Sequence, residues 1–477
     1  MCCPLKEACG VFGCNSSEDV ARRIYYGLVA LQHRGQESAG ISTLEDSKIH
    51  LKRAMGLVTD SFKERIVAEL KGKIGIGHVR YSTMSTSTLE NAQPFVINYP
   101  KRGISFCFNG NIVNIIDLRR ELVQNGRLIQ SGSDAEVLTH LLAEELIRKN
   151  DLENAILNCM NKIEGSYSAV FLSGDCELVA FRDPFGFKPL VFGEDENSKA
   201  FASESVALDI NNIENFSDVK PGEMIIVKED SAERKQIFPC KKRAHCMFEY
   251  VYFSRPDSVL EGKSVYDVRI KLGENLAKTY QTDADVVIPV PDTSRPAAEG
   301  VGKETGLAVA EGLIKNRYIW RTFIMPAQKA RDGAMKFKLN PIKSVIKDKK
   351  VLLVDDSIVR GTTSRKIVDI VRKAGAKKVE LWITCPPIIS PCFYGIDMAT
   401  HTELIAANHT VEEIAKKINV DKLCYQTIEG LVDAIGFKEE ELCTACLTGR
   451  YTTPIAQSLA DKLKTQSTVK RYYEIES

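Results

Sequence analysis

The run VLLVDDSIVRGTTS, Val351 to Ser364, restricts what this chain can fold into more than any other stretch. Val351 to Val354 is a short apolar run of the kind a buried strand needs, and Ile367, Val368, Ile370 and Val371 mark the apolar face of a helix beginning near Thr363. A loop of small residues joins the two. Amide N–H groups at a helix start, helped by Gly361 and the hydroxyls of Thr362, Thr363 and Ser364, form an anion site for a phosphate monoester. Asp355 and Asp356, at the carboxyl end of the strand, can accept from ribose hydroxyls or hold a hydrated Mg²⁺. Two acids after a strand often do no more than cap a loop. The full run is far more specific, and the G-x-x-x-x-G-K of a Walker site is absent.

At 477 residues the chain has room for two or three domains, each with its own core. Its formal net charge of +1 creates no general field toward nucleic acid or a membrane surface, which points to small-molecule ligands. The N-terminus lacks the basic start and apolar core of a signal peptide, and no stretch of about 18 apolar residues suggests a membrane span. A cytoplasmic protein is the expectation. In that reducing setting most of the 14 cysteines should be small hydrophobes, so grouped ones need a reason.

The first half mixes short strand-like runs with a few helices. Ser133 and Glu136 fit a capping box ahead of a helix Ser133 to Lys149, with Val137, Leu138, Leu141, Leu142, Leu146 and Ile147 at helical spacing. YSAVFLS and ELVAFRD, followed by the turn-rich DPFGFKPL, predict antiparallel strands. The lysine-rich stretch Lys228 to Arg243 has few core candidates and predicts a domain boundary. From about Ser264 the pattern changes to strand and helix in alternation: helix Val265 to Thr279, then strands Val286 to Val290, Val351 to Val354 and Val379 to Ile383. That is the pattern of a parallel sheet flanked by helices.

The run around Asp355 resembles the phosphoribosylpyrophosphate motif of type I phosphoribosyltransferases. At the other end of the chain, ACGVFG (8 to 13), LQHRGQESAG (31 to 40), GHVRYST (77 to 83), FNGNI (108 to 112) and SDAE (133 to 136) together resemble the glutaminase domain of class II, N-terminal-nucleophile amidotransferases. Such a site needs a thiolate, a proton shuttle and an oxyanion hole. An α-amino group, with an ordinary pKa of about 7.7 to 8.0, suits the shuttle for a thiol near 8.5, provided the cysteine is residue one. In the family the nucleophile precedes Gly, which Cys9-Gly10 satisfies and Cys2-Cys3 does not. The resemblance therefore implies a propeptide, residues 1–8, whose removal exposes Cys9 as nucleophile and base together. The rival, methionine removal exposing Cys2, leaves Cys9 without its amine. The resemblance further implies that Arg80 binds the substrate carboxylate, Asp134 its α-ammonium, and that Asn109 and Gly110 supply the oxyanion hole. Phe108 departs from the His that many relatives carry there, and Arg34 organises loops around the site.

Both halves in this order, with YFSRPDS, KNRY, RTFIMP, PCFYGID and HTELIA, resemble the glutamine phosphoribosylpyrophosphate amidotransferases. The implied fold is an α+β N-terminal-nucleophile glutaminase domain (9–240), antiparallel sheets between helices, followed by an α/β phosphoribosyltransferase domain with a parallel sheet (241–477). The implied reaction uses ammonia freed from glutamine to displace pyrophosphate from C1 of the ribose, giving 5-phosphoribosylamine, the first committed step of purine synthesis. Asp355, Asp356 and Thr293 match the family's site for one Mg²⁺. Asp292, Thr293 and Ser294 in PDTSRPAA, together with Ser357, Gly361, Thr362, Thr363 and Ser364, are the expected phosphoribosylpyrophosphate contacts. Lys329, Arg331, Lys336 and Lys338, in a charged aperiodic stretch, are the expected lid; a solvated surface loop is the plainer alternative.

Cys443 and Cys446 form C-x-x-C, which alone is compatible with zinc, a redox pair or coincidence. With Cys246 and Cys392 they match the four ligands of the 4Fe-4S cluster in one branch of the family, a branch that also carries a propeptide. The remaining cysteines, Cys14, Cys107, Cys159, Cys176, Cys240, Cys385 and Cys424, are read as ordinary hydrophobes. Feedback by purine nucleotides and a homotetramer are implied by the family. A class II amidotransferase with another acceptor lacks the phosphoribosyl loop, and a nucleotide-sensing regulator fits poorly with near-neutral charge and a complete glutaminase set.

Overall fold

Alternation along single strands builds the N-terminal half. Val11 points between two sheets with Ile76, Val170, Leu178 and Ile225, while the adjacent Phe12 points outward beneath helix Ala21–Ala30, against Ile24 and Leu28. Phe106 and Phe171, on the second sheet, face helices Asp134–Lys149 and Leu152–Lys162 instead. The computed structural model describes residues 9–81, 87–99, 102–149, 151–229, 231–240, 242–316, 339–398 and 400–465. Among them, one antiparallel sheet has seven strands in the order Phe216–Asp218, Val191–Glu194, Ser198–Ala202, Gly10–Ser16, Ile74–Arg80, Ser38–Glu45 and Lys48–Met55. The other has six: Ser231–Gln236, Glu223–Lys228, Glu177–Arg182, Gly165–Ser173, Arg102–Ile112 and Phe95–Tyr99. Helix, sheet, sheet, helix is the expected glutaminase sandwich.

Three local expectations are corrected. Residues Ser231–Gln236, placed in a charged boundary, form the edge strand of the six-stranded sheet; charges on an edge deter pairing with another chain. The capping box at Ser133 does not close. The Glu136 carboxylate accepts from the amides of Gln130 (2.9 Å) and Ser131 (2.6 Å), and the Ser133 amide donates to Ser131 Oγ (3.2 Å). Cys176 and Cys240, read as hydrophobes, are exposed; Cys14, Cys107, Cys159, Cys385 and Cys424 are buried. Cys176 sits in a tight turn with φ of 61°, which faces it to solvent.

In the C-terminal half, strands Val286–Pro289, Lys350–Asp355, Lys378–Ile383 and Lys422–Tyr425 form a parallel sheet in that order. Both faces are buried, so the strands read as mostly apolar runs rather than alternating ones, with Glu380 a buried exception paired with Lys378. Leu352 and Val354 pack toward helix Arg295–Thr305; Val351 and Leu353 pack toward helix Thr362–Lys373. Each such fully buried side chain contributes about 1.5–3 kcal/mol. Because those two helices leave neighbouring strands toward opposite faces, a crevice opens at the carboxyl ends of the strands. Farther along, His245–Cys246 pairs in parallel with Leu442–Cys443, tying the start of this half to its end. Among the described residues, no helix is long and apolar enough to cross a membrane.

Candidate functional site

Two centres stand on this frame. In the first, the Cys9 thiol heads strand Gly10–Ser16 and donates to the Tyr81 carbonyl at 3.5 Å. Pairing of Gly10 with Val79 sets Cys9 beside the end of strand Ile74–Arg80, which delivers Arg80. Burial pushes the Cys9 thiol up, while Tyr81, Arg80 and Arg34 pull it back down and Asp134 adds to the rise. Asp134, at the first residue of its helix, is pushed up to about 6 by burial, with Arg80 and backbone donors opposing. Arg80, Asp134 and Cys9 thus share one electrostatic neighbourhood.

Asn109 is buried, and its Nδ2 has no hydrogen-bond partner in the structure. Gly110 follows it; a Cβ there would stand 2.0 Å from the Ser166 carbonyl oxygen, so only glycine fits. The Phe108 side chain packs among Phe106 and the helix-side core, away from this centre, so the departure from His changes the core rather than the site. His78 Nε2 donates to the Phe108 carbonyl at 3.1 Å, and the Phe108 amide donates to Gln93 Oε1 at 2.8 Å. Burial, reinforced by Arg80, pushes His78 down to about 3, so it stays neutral.

Arg34 does organise the surroundings. Its Nε donates to the Cys9 carbonyl at 2.9 Å, and its other nitrogens reach Glu204 (2.6 Å) and, in a fork, Glu249 (2.9 and 3.0 Å). All three side chains are buried. Burial opposes each charge, but mutual attraction raises the Arg34 pKa and lowers those of Glu204 and Glu249. Glu204 also accepts from His33, the Arg255 amide and Ser258. Glu249 lies 215 residues from Arg34 in sequence, three residues before YFSRPDS, so this network joins the two halves. The string was legible in the sequence; the role of its acid neighbour was not.

The second centre is the crevice, a cleft of about 740 Å³ lined by Arg255, Thr293, Arg295, Asp355, Asp356, Gly361 and the residues that follow it. Thr293 Oγ1 donates to Asp356 at 2.8 Å, Ser357 Oγ to the same carboxylate at 2.6 Å, and Ser294 Oγ approaches Asp355 at 3.5 Å. Burial, then repulsion from Asp356, holds Asp355 well above the usual carboxylate range; burial also raises Asp356. Buried Arg269, which sequence reasoning missed, offsets part of this for Asp356. Asp292 stands at the rim, paired with Lys315 (2.8 Å) and Arg295 (3.5 Å). Gly361, with φ of 75°, is the N-cap of helix Thr362–Lys373, and the amides of Thr362, Thr363 and Ser364 open that helix at the cleft. Lys329, Arg331, Lys336 and Lys338, the expected lid, lie outside the described residues, as do residues 1–8.

Two cofactor sets can be tested on chemistry. Two adjacent buried carboxylates with the Thr293 hydroxyl are oxygen donors that suit Mg²⁺, which binds through one or two carboxylates and completes its shell with substrate phosphate and water. Among the described residues no three His, Cys, Asp or Glu side chains converge on one ion. The four thiols Cys246, Cys392, Cys443 and Cys446 are free, and Cys446 feels the other three electrostatically. Burial raises all four, Cys246 to about 11. Facing Cys246 and Cys392 is Lys188, fully buried, 3.5 Å from Glu249 and without a hydrogen bond. A buried ammonium acting on three of the four thiols fits a cluster whose thiolate ligands bring negative charge. The Tyr394 amide, 3.3 Å from Cys392 Sγ, fits it too.

Residues 78–209 match the glutamine amidotransferase domain family, and residues 257–390 the phosphoribosyl transferase domain family. The chain is 51% identical to the amidophosphoribosyltransferase of Methanocaldococcus jannaschii, covering 94% of this chain and 98% of that one. It is 42% identical to the amidophosphoribosyltransferase of Bacillus subtilis, covering 95% and 96%. A solved structure of glutamine phosphoribosylpyrophosphate amidotransferase from B. subtilis, complexed with ADP and GMP, superposes with a TM-score of 0.87 at 41% identity, covering 94% of this chain and 98% of that one. With two centres of the expected composition on one chain, and likeness running nearly its whole length, the chain belongs to the amidophosphoribosyltransferase family.

Proposed function

We propose that this chain hydrolyses glutamine at the Cys9 centre and delivers the ammonia to 5-phosphoribosyl-1-pyrophosphate in the cleft, giving 5-phosphoribosylamine, glutamate and pyrophosphate at the entry to purine synthesis. The observation that carries the reading is the pairing of a cysteine centre with a phosphosugar cleft through the buried Arg34 to Glu249 fork.

Cleavage after Ala8 frees the α-amine of Cys9, which takes the thiol proton. Sγ then attacks the glutamine amide carbon, Asn109 Nδ2 and the Gly110 amide hold the oxyanion, and the proton returns to the departing ammonia. Water releases glutamate from the thioester by the same shuttle. Arg80 binds the substrate carboxylate and Asp134 its ammonium. In the cleft, the amides of Thr362, Thr363 and Ser364 hold the 5-phosphate, the acid pair holds the ribose, and Arg269 steadies Asp356. Mg²⁺, when bound by Asp355, Asp356 and Thr293, stabilises the charge of the leaving pyrophosphate. Ammonia attacks C1 as the bond to pyrophosphate breaks. The cluster held by Cys246, Cys392, Cys443 and Cys446 is structural.

The division near residue 240, a cytoplasmic location, a homotetramer, a lid over Lys329 to Lys338 and inhibition by purine nucleotides belong to the same reading. The relative complexed with ADP and GMP supports the last.

Protein purified without oxygen is expected to begin at Cys9 and to carry about four irons per chain. It should form phosphoribosylamine from glutamine or from ammonia. Cys9→Ala should lose the glutamine-dependent rate entirely and keep the ammonia-dependent one. A failure to form phosphoribosylamine from either nitrogen source refutes the reading, and a chain starting at Met1 or Cys2 refutes the maturation step.

A further inference from the structure

The loop that carries Cys392 runs on past the cluster thiols to the strand that supplies Asn109 and Gly110. Asn111 Nδ2 donates to the Phe393 carbonyl at 2.9 Å, across 282 residues of sequence. On the neighbouring strand, Ser166 Oγ donates to the next carbonyl, that of Tyr394, also at 2.9 Å, and accepts from the Asn111 amide at 3.2 Å. Gly395, in the left-handed region with φ of 93°, comes so close to Gly110 that a Cβ on it would stand 3.1 Å from the Gly110 carbonyl carbon. The Tyr394 ring stacks on Phe187 at 4.2 Å, and its hydroxyl meets that of Thr453 at 2.9 Å. Asn111, Ser166 and Tyr394 are all buried.

This contact falls where the oxyanion strand has least support of its own. Strand Arg102–Ile112 is paired on both sides only as far as Phe106; beyond it the pairing is with Gly165–Ser173 alone. Upstream of Asn109 the strand is held by His78 and Gln93 at Phe108. Downstream, Asn111 and Ser166 fasten it to consecutive carbonyls of the cysteine loop. Oxyanion donors act through preorganisation, so tenths of an ångström at Asn109 and Gly110 matter to the rate.

We infer that residues 391–395 are a clasp that positions the oxyanion donors, with Asn111 and Ser166 as its positioning residues, so that seating the Cys392 loop sets the rate of glutamine hydrolysis. The clasp stands on the contacts above; that cluster assembly seats it rests on the proposed cluster.

The test uses the full-length, matured enzyme. Asn111→Asp keeps the size of the side chain and turns a donor toward the Phe393 carbonyl into an acceptor. Expected is a roughly 10- to 100-fold loss of kcat with glutamine, below the 10²–10³ of removing an oxyanion donor outright. KM for glutamine and the ammonia-dependent rate should stay within about twofold. Ser166→Ala should show a smaller loss in the same direction and serves if Asn111→Asp does not fold. In an Asn109→Ala background the Asn111→Asp loss should largely vanish, because the donor it positions is gone. Full kcat with glutamine in both variants, losses that multiply with Asn109→Ala, or an equal loss with ammonia would each overturn the inference. Iron measured on the same preparations separates the two readings. An iron-replete Asn111→Asp enzyme at full kcat sinks the clasp and leaves the cluster standing; iron-free wild type with the Asn111→Asp effect intact does the reverse.

Discussion

In its proposed role as the partner of the substrate ammonium, Asp134 would set the lower end of the glutaminase's working pH range. Burial raises it to about 6 even with Arg80 nearby. Only its ionised form attracts a substrate ammonium, so kcat/KM for glutamine is expected to fall more steeply as pH drops through about 6, below the separate limb that the Cys9 α-amine sets near 8. The ammonia-dependent rate, compared at equal free ammonia, should lack both limbs. A glutamine profile with no added steepness between about pH 7 and 5 would remove Asp134 from its role. Asp134→Asn should raise KM for glutamine roughly 30-fold or more, the ~2 kcal/mol low end for losing one partner of a buried charge pair.

At the scale of elements, what the sequence disclosed depended on how far apart the cooperating residues lie. Three strands of the parallel sheet were legible because each is a largely apolar run buried on both faces; the fourth, Lys422–Tyr425, is too short to stand out. Helix Val265–Thr279 was legible because its apolar residues recur with helical period. Strand Ser231–Gln236 was not, because SAERKQ has a single apolar residue and no alternation, a composition shared with linkers. The candidate site residues came from short strings, and the structure brings Cys9, Arg80 and Asp134 together as it does Asp355, Asp356 and Thr293. Arg269, Lys188, Glu204 and Glu249 escaped because a buried ion's partners sit far away in sequence and leave no local period. Gly361 is the element-scale test. Alanine there must adopt φ of 75° and place a Cβ 2.8 Å from Ile405 Cδ1. The left-handed geometry alone costs roughly 1–2 kcal/mol. Gly361→Ala should therefore lower the melting temperature and raise KM for phosphoribosylpyrophosphate about tenfold, ~1.4 kcal/mol, while glutamine hydrolysis measured alone is spared. An unchanged KM would show that the helix start does not bear on the phosphate.

For the whole molecule, the buried fork between Arg34 and Glu249 is the contact to break. Glu249→Gln leaves Arg34 with Glu204 alone and deprives Lys188 of its ion pair. Removing one partner of a buried pair typically costs about 3–5 kcal/mol. Calorimetry should show a lower and split transition, as the halves begin to unfold separately; one unshifted transition would mean the fork is dispensable to their union. The same fork bears on inheritance. A glutaminase half transplanted onto a different acceptor domain would keep Glu204 but lose the second, forked counter-charge of its buried guanidinium, so exchange of this half between proteins favours bringing Glu249 along or rebuilding residue 34.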